Sequence, residues 1–182
     1  MPDTTNYFAF YGLPETFLLD EAALKTKYYQ LSRELHPDFH AQGTPAAQAE
    51  ALRLSTLNTD AYRTLADPDA RMAYLLGQHS LLEEGSAQNQ LPADFLMEVM
   101  ELNEQLMELE FEPDPAATTT LAAKVTALAD TLDAGIRPVL AGYAGLPQDH
   151  RPAALAQVKT YYLKKRYLLR LRQQLATFAA RS

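Results

Sequence analysis

Apolar residues recur along most of the chain at spacings of three and four, which is the period of an α-helix. Two such stripes lie in the N-terminal part of the chain: Leu24, Tyr28, Leu31 and Leu35, and then Leu54, Leu57, Ala61 and Leu65. Three more follow in the second half: Phe95, Val99, Leu102, Leu106 and Leu109; Leu121, Val125, Leu128 and Leu132; and Tyr161, Leu168, Leu171, Leu175 and Phe178. No segment shows convincing strand alternation or an Asn-Gly hairpin turn. The pattern therefore predicts an all-α protein.

Capping residues predict where the N-terminal helices begin and end. Asp20 is a good N-cap for the first stripe. Pro37 disfavours helical backbone at the residue before it, so this helix should end near Leu35. Thr44 and Asp67 are each followed by proline, which is favoured at the first position of a helix. We therefore expect two antiparallel helices joined by a loop, with a short helix on either side.

A polar stretch separates the N-terminal helices from the three later stripes. Its sequence, SLLEEGSAQNQLP, covers residues 80–92 and lacks the helical period, which makes it the best linker candidate. It predicts one domain over residues 1–79 and a second over residues 93–182. The three stripes of the second domain predict an antiparallel three-helix bundle. Pro138 is expected to interrupt and kink the middle helix.

Composition narrows the class of protein further. The chain has 182 residues, 47% of them hydrophobic, which is enough to build buried cores. It has no cysteine, which excludes disulfides and cysteine nucleophiles and fits a reducing compartment. The N-terminus lacks the pattern of a signal peptide, and no apolar run is long enough to span a membrane. We therefore expect a cytoplasmic protein without a membrane segment.

The net charge of −7 conceals a strong asymmetry. Residues 81–149 carry 2 basic and 13 acidic side chains, whereas residues 150–182 carry 8 basic and none acidic. A basic segment with interleaved tyrosines could indicate a nucleic-acid groove. Because an acidic segment precedes it, pairing between the basic and acidic helices is the simpler interpretation. We expect no nucleic-acid partner.

The loop after the first long helix contains His36, Pro37 and Asp38. His36 and His40 have the spacing of two metal ligands on a helix, but Pro37 disfavours a regular helix between them and no further ligand stands nearby. A hydrolase would also need a nucleophile and an oxyanion hole, and neither is signalled. A docking tip fits better, because Pro37 stiffens the backbone and Asp38 offers an exposed carboxylate to a partner's arginine.

Basic residues on the preceding helix support the docking interpretation. Lys25, Lys27 and Arg33 lie off its apolar stripe and are expected to face water. Their charge would steer the loop toward an acidic partner surface. The three loop residues alone would also fit a simple helix stop, so the pattern by itself leaves both interpretations open.

The acidic helix DFLMEVMELNEQLMELE has more apolar residues than one buried face requires. Four of them lie outside its stripe: Leu96, Met97, Met100 and Met107. At ~100° per residue, Met97 lies roughly opposite the stripe. Three carboxylates lie beside it: Glu101, Glu104 and Glu108. Methionine adapts to varied partner shapes, and the carboxylates would select a basic partner.

A second interpretation is that this helix is buried on two sides by its neighbours in the bundle. Burial would account for Leu96 and Met100 but explains Met97 poorly. Tyr162 and Leu169 are the matching off-stripe residues of the last helix. They either complete an exposed patch or pack against the acidic helix.

Several of these stretches resemble a known family. A basic amphipathic helix, the HPD sequence and an antiparallel helix resemble the J-domain of DnaK-type co-chaperones. More narrowly, the chain resembles the HscB-type iron–sulfur cluster co-chaperones over almost its whole length. The matching stretches are NYFAFYGLP, LHPDF, LNTDAYRTLADPDARMAYLL, FLMEVMELNEQL and VKTYYLKKRYLLRLR. The resemblance implies an L-shaped protein with an N-terminal J-domain and a C-terminal three-helix bundle.

The resemblance also implies a function and its residues. It implies a co-chaperone, not an enzyme and without a cofactor, that binds the scaffold IscU and stimulates the ATPase of the DnaK-type chaperone HscA. The implied chaperone-binding residues are His36, Pro37, Asp38, Lys27 and Arg33. The implied scaffold-binding residues are Leu96, Met97, Met100, Glu101, Glu104, Glu108 and Tyr162. Leu35 and Phe39 stand where many J-domains have tyrosine and lysine. The alternative is a general J-domain co-chaperone with a different client.

Overall fold

A computed structural model describes residues 6–82 and 90–179 of the chain. All α-helices in these ranges are, in order, α1 Tyr7–Phe10, α2 Glu21–Glu34, α3 Pro37–His40, α4 Pro45–Ala66, α5 Pro68–Gln78, α6 Ala93–Phe111, α7 Pro115–Gly142 and α8 Arg151–Ala179. A 3₁₀ turn, Tyr143–Gly145, follows α7. The same ranges contain no strand, so the prediction of an all-α protein is confirmed. Among the described helices, none has both the length and the apolar character that crossing a membrane requires.

The chain folds as two compact units, Met1–His79 and Ser80–Ser182. Residues 83–89, which make up most of the predicted linker, lie outside the described ranges. Unit 1 holds α1 to α5, and unit 2 holds α6 to α8.

Helices α2, α4 and α5 begin where the capping residues predict. The Asp20 carboxylate accepts the backbone N–H groups of the first turn of α2. This helix ends with Leu35 as its C-cap. Thr44 and Asp67 cap α4 and α5 in the same way. Side-chain caps satisfy N–H groups that have no partner within the helix, which is why short sequence signals locate these boundaries.

Antiparallel packing of α2 and α4 forms the centre of unit 1. Tyr28 and Tyr62 stack with their ring centroids 4.2 Å apart. Ser32 follows Tyr28 by four residues, and Asn58 precedes Tyr62 by four. Asn58 Nδ2 donates to Ser32 Oγ at 3.0 Å. The buried face of α4 therefore differs from the predicted apolar stripe, because Asn58 is 1% exposed whereas Leu54 and Leu57 are only half-buried.

A network of hydrogen bonds explains how Asn58 tolerates this burial. The Tyr11 hydroxyl lies 2.8 Å from Asn58 Oδ1 and 2.9 Å from the Asn58 carbonyl oxygen. Asn58 Nδ2 also donates to the carbonyl of Tyr28. A buried amide is destabilising only when its donors and acceptors lack partners. Burial, aided by the neighbouring tyrosines, raises the pKa of Tyr11 and keeps its hydroxyl protonated.

Unit 2 is a three-helix bundle with an apolar core. The buried cluster comprises Phe95, Val99, Leu102, Leu106, Leu109, Leu121, Val125, Leu168, Leu171 and Leu175. Leu128, Leu132 and Phe178 pack against it as half-buried side chains. Tyr161 at the other end of the α8 stripe is also buried. The three predicted stripes therefore face one another.

The middle helix of the bundle runs through Pro138 without a break, so the predicted interruption is wrong. Proline removes one backbone N–H, which leaves the carbonyl of Ala134 without its helical donor. Both residues are exposed, so water can take the place of that donor. The helix then continues because the turns on either side remain intact.

Candidate protein-docking surfaces

The loop after α2 contains one short helical turn, α3, that positions the HPD tip, which we define as His36, Pro37 and Asp38. His36 is extended and caps α3, with its Nδ1 accepting the backbone N–H of Asp38 at 3.3 Å. Pro37 occupies the first helical position, where its missing N–H has no cost. His36 therefore lies outside the helical turn that contains His40, and the two histidines do not share one regular helix as a pair of metal ligands would.

Asp38 presents its carboxylate to solvent. Its side chain is 87% exposed, and its recorded ionic neighbour is His36 Nδ1 at 3.5 Å from Oδ2. Nδ1 accepts the Asp38 N–H only in a neutral imidazole, and only a protonated imidazolium would pair with the carboxylate. With the cap formed, the carboxylate oxygens therefore remain available for a cation on another protein.

Two side chains tie the loop to the helices on both sides. His40 Nε2 lies 2.9 Å from the carbonyl oxygen of Glu34 at the end of α2. Gln48 on α4 donates to the carbonyls of Ala41 and Gly43 at 3.0 and 3.2 Å. These contacts restrict the backbone on which the tip is mounted. A carboxylate whose position is already restricted loses less entropy on binding.

Phe39 is a feature of this loop that the sequence did not assign to a site. Its side chain is 76% exposed directly beside Asp38, and its ring meets the His36 imidazole edge to face at 6.2 Å. Aromatic residues are enriched in protein interfaces relative to the rest of the surface. The amino-acid sequence could have pointed to Phe39, because it is a large apolar residue in a loop that has no core to pack against.

The basic residues of α2 do not all face water as predicted. Lys25 and Arg33 are exposed. Lys27 is half-buried, and its ammonium donates to the carbonyl of Tyr11. Gly12 turns the chain there with a φ of 60°, a left-handed conformation that glycine adopts readily. The turn after α1 brings this carbonyl to α2, which periodicity along α2 alone could not reveal.

The second surface is the α6 face, which we define as Leu96, Met97, Met100, Glu101, Glu104 and Glu108. Leu96 is 46%, Met97 68% and Met100 60% exposed. The interpretation in which α6 is buried on two sides is therefore wrong. The core stripe of α6 already fills the contact with α7 and α8, so these side chains have no neighbour to bury them.

No ion pair within residues 6–82 and 90–179 neutralises the carboxylates of the α6 face. Glu101, Glu104 and Glu108 are exposed, and none of them forms an ion pair with another residue in the described ranges. Exposed carboxylates around an apolar centre favour a partner with complementary basic residues. The α6 face thus has the composition of an unoccupied protein interface.

Tyr162 lies on α8 near the beginning of α6. It is half-buried, and the guanidinium of Arg166 lies 5.6 Å from its ring centroid. The Lys164 ammonium, two residues further along, lies 5.0 Å from the ring centroid of Phe95. Phe95 directly precedes Leu96, so Tyr162 lies at the same level of the bundle as the start of the α6 face. Leu169, which follows Tyr162 by seven residues on α8, is 38% exposed.

Five of the seven basic side chains of α8 contact aromatic rings. Besides Lys164 and Arg166, the pairs are Arg151 over Tyr143, Lys165 over Tyr161 and Arg170 over Tyr167, at 5.4 to 6.0 Å. The basic helix was predicted to pair with the acidic one, but in the described ranges Glu101, Glu104 and Glu108 form no ion pair with α8. Cation–π contacts let these cations cover ring faces at the bundle surface.

Comparison with known proteins identifies relatives that cover both units. The family model described as "HSCB C-terminal oligomerisation domain" matches residues 91–176. The solved structure of the chaperone HscB from Vibrio cholerae is 30% identical with a TM-score of 0.63, over 97% of this chain and 99% of that one. The crystal structure of human co-chaperone protein HscB is 29% identical with a TM-score of 0.67, over 97% of this chain and 83% of that one.

Proposed function

This chain belongs to the HscB family of iron–sulfur cluster co-chaperones, and we propose that it binds the scaffold protein IscU and stimulates the ATPase of the chaperone HscA. Its fold is a J-domain followed by a C-terminal helical bundle. In this proposal the protein acts in the cytoplasm and catalyses no reaction itself. The observation that carries the proposal is the α6 face, an exposed apolar surface whose carboxylates form no ion pair with any residue that the structure describes.

The α6 face is the surface that we assign to the scaffold. Met97 and Met100 have flexible, polarisable side chains that adapt to a partner's shape. The carboxylates beside them favour basic residues around the apolar contact, which gives the interface its specificity. Tyr162 lies at the same level of the bundle and is assigned to the same contact.

The HPD tip is the surface that we assign to the chaperone. Asp38 accepts hydrogen bonds from an arginine of HscA, and a charge-assisted pair of this kind is stronger than a neutral one. His36 and Pro37 hold the turn that presents the carboxylate. Arg33, exposed on α2, adds attraction to an acidic surface of the chaperone. Lys27 is assigned here through the family pattern, although its ammonium already has the Tyr11 carbonyl as a partner.

One chain that holds both partners raises the concentration of each near the other. This provides the mechanism by which a protein without its own chemistry couples scaffold binding to ATP hydrolysis. In this proposal each partner has its own site, which the location of the two surfaces on different units supports.

The test is a steady-state ATPase assay with purified HscA, this chain and IscU. We expect phosphate release to rise when the chain is added to HscA and to rise further with IscU. The chain with ATP alone serves as the control and should release no phosphate. Stimulation of HscA without binding of IscU would identify a co-chaperone with a different client, and ATP turnover without HscA would contradict the proposal.

A further inference from the structure

Two exposed apolar residues near the end of α6 lie outside the α6 face as defined. Met107 is 59% exposed and Phe111 is 88% exposed. Among the described residues, Phe111 is more exposed than any other large hydrophobic side chain. Exposing a phenylalanine to this extent is unfavourable in an isolated protein, because apolar surface is stabilised by removal from water.

Helical geometry places both residues on the apolar stripe of the α6 face. At ~100° per residue, Met107, Met100 and Phe111 lie about 20°, 40° and 60° around the helix from Leu96. A rise of ~1.5 Å per residue puts Phe111 roughly 22 Å along the helix from Leu96. The exposed apolar residues therefore follow one side of α6 to its last residue, with the polar Asn103 and Glu104 between Met100 and Met107.

Charge distinguishes between two possible occupants of this stripe. Helix α6 contains six acidic residues and no lysine or arginine. A second copy of the chain docked symmetrically would bring the same carboxylates face to face, and like charges in contact are strongly unfavourable. A partner with basic residues around an apolar segment meets no such repulsion.

A groove beside the stripe extends the acidic surroundings. It has a volume of about 660 Å³ and lies between the end of α6 and the start of α7. Glu108, Glu112 and Asp114 line it together with one cation, Lys124, whose ammonium donates to Gln105, so carboxylates outnumber cations there and one of them belongs to the α6 face. The groove could accept a basic side chain from a partner already bound along the stripe.

We propose that Met107 and Phe111 extend the scaffold-docking surface, so that the scaffold contacts α6 from Leu96 to Phe111. This proposal rests on the proposed function, since it names further residues for the same partner. The segment of the scaffold that covers Met107 and Phe111 carries apolar side chains flanked by lysine or arginine.

The test is calorimetric titration of IscU into the full-length chain and its variants. We expect Phe111→Ala to weaken binding about 10-fold, as for an aromatic residue at an interface. Met107→Ala should act in the same direction and more weakly. Leu52→Ala is the control, because it removes an exposed apolar side chain from unit 1 and should leave scaffold affinity unchanged.

A second variant separates this proposal from the proposed function. The double variant Met97→Ala, Met100→Ala tests the α6 face itself. If it weakens binding while Phe111→Ala and Met107→Ala bind as the native chain does, the extension is overturned and the proposed function stands. If none of the variants weakens binding, both fail.

Sedimentation of the chain alone tests whether a second copy of the chain, instead of the scaffold, covers the stripe. We expect Phe111→Ala to leave the oligomeric state unchanged. If the native chain self-associates and Phe111→Ala dissociates it, the stripe is an interface between copies and the proposal is overturned. Since Phe111 is exposed, its replacement should not alter the thermal unfolding of the bundle, which circular dichroism would verify.

Discussion

The HPD tip and the α6 face are both exposed, but they are built in opposite ways. The tip consists of three consecutive residues on one turn, and side-chain hydrogen bonds to the backbone hold that turn in place. The α6 face draws its residues from successive turns of a long helix, and an apolar core on the other side of the helix holds it. The HPD tip therefore depends on a local backbone conformation, whereas the α6 face depends on the exposed apolar area that its side chains provide together.

This difference predicts how each surface responds to mutation. A site that depends on one positioned carboxylate should fail entirely when the carboxylate is removed. A site that depends on apolar area should weaken in steps, because binding energy is divided among several side chains. The two cores also differ. Unit 1 buries a hydrogen-bonded polar network, and unit 2 buries an apolar cluster.

The largest expected effect is that of Asp38→Ala, which should abolish stimulation of the HscA ATPase. The His36 cap uses the backbone N–H of residue 38, so alanine should retain the turn while removing the charge. ATPase assays measure the loss, and titration with IscU should show unchanged scaffold affinity. Asp60→Ala, an exposed aspartate on α4, is the control. Loss of scaffold binding as well would contradict the separation of the two surfaces.

The next effect is that of Met97→Ala combined with Met100→Ala, which should lower scaffold affinity about 10- to 100-fold, or roughly 1.4 to 2.8 kcal/mol. Each single variant should give a smaller decrease, in contrast to the complete failure at Asp38. Calorimetry measures the affinity, with Leu52→Ala, an exposed leucine on α4, as the control. Complete loss from one single variant would show that this surface also depends on a single residue.

Asn58→Ala should lower the free energy of unfolding of unit 1 by about 1–3 kcal/mol, because the buried Tyr11 hydroxyl loses its side-chain partner. Hydrogen exchange should show faster exchange in α2 and α4 than in α6 to α8. Asn103→Ala is the matched change in unit 2, where the half-buried amide binds Tyr167. Equal acceleration in both units for Asn58→Ala would argue against a polar core confined to unit 1.

The smallest effect is a loss of stability of unit 1 at alkaline pH. Burial raises the folded-state pKa of Tyr11, and also that of Tyr74, above the ordinary value of 10.0. The unfolded chain then loses these protons first, so stability is unaffected below about pH 10 and falls as pH rises above it. Urea unfolding between pH 8 and 11 measures this slope, and Tyr11→Phe should reduce it. A slope unchanged in this variant would exclude Tyr11 as its source.

Much of the helical organisation was predictable because its causes are local. Asp20 and Thr44 cap helices through bonds to residues two or three positions away. The stripe from Phe95 to Leu109 follows from the helical period, which also indicated that Met97 has no place in that core. Its exposure and the apolar surroundings of the α6 face were therefore accessible from the amino-acid sequence.

Other features depended on residues far apart in the chain. Burial of Asn58 requires Tyr11, which lies 47 positions away, and Lys27 is held by a carbonyl 16 positions before it. The cation–π contact of Lys164 with Phe95 joins α8 to α6. Periodicity records which face of one helix is apolar and carries no information about which polar group another segment brings to it.

The amino-acid sequence by itself determined the long helices, the starts of α2, α4 and α5 and the surplus apolar residues of α6, because capping and periodicity act within a few residues. Only the tertiary structure decided that Asn58 is buried, that Lys27 is tethered and that the cations of α8 cover aromatic rings. These outcomes depend on long-range packing, in which a polar group is buried or exposed according to the partners that other segments supply.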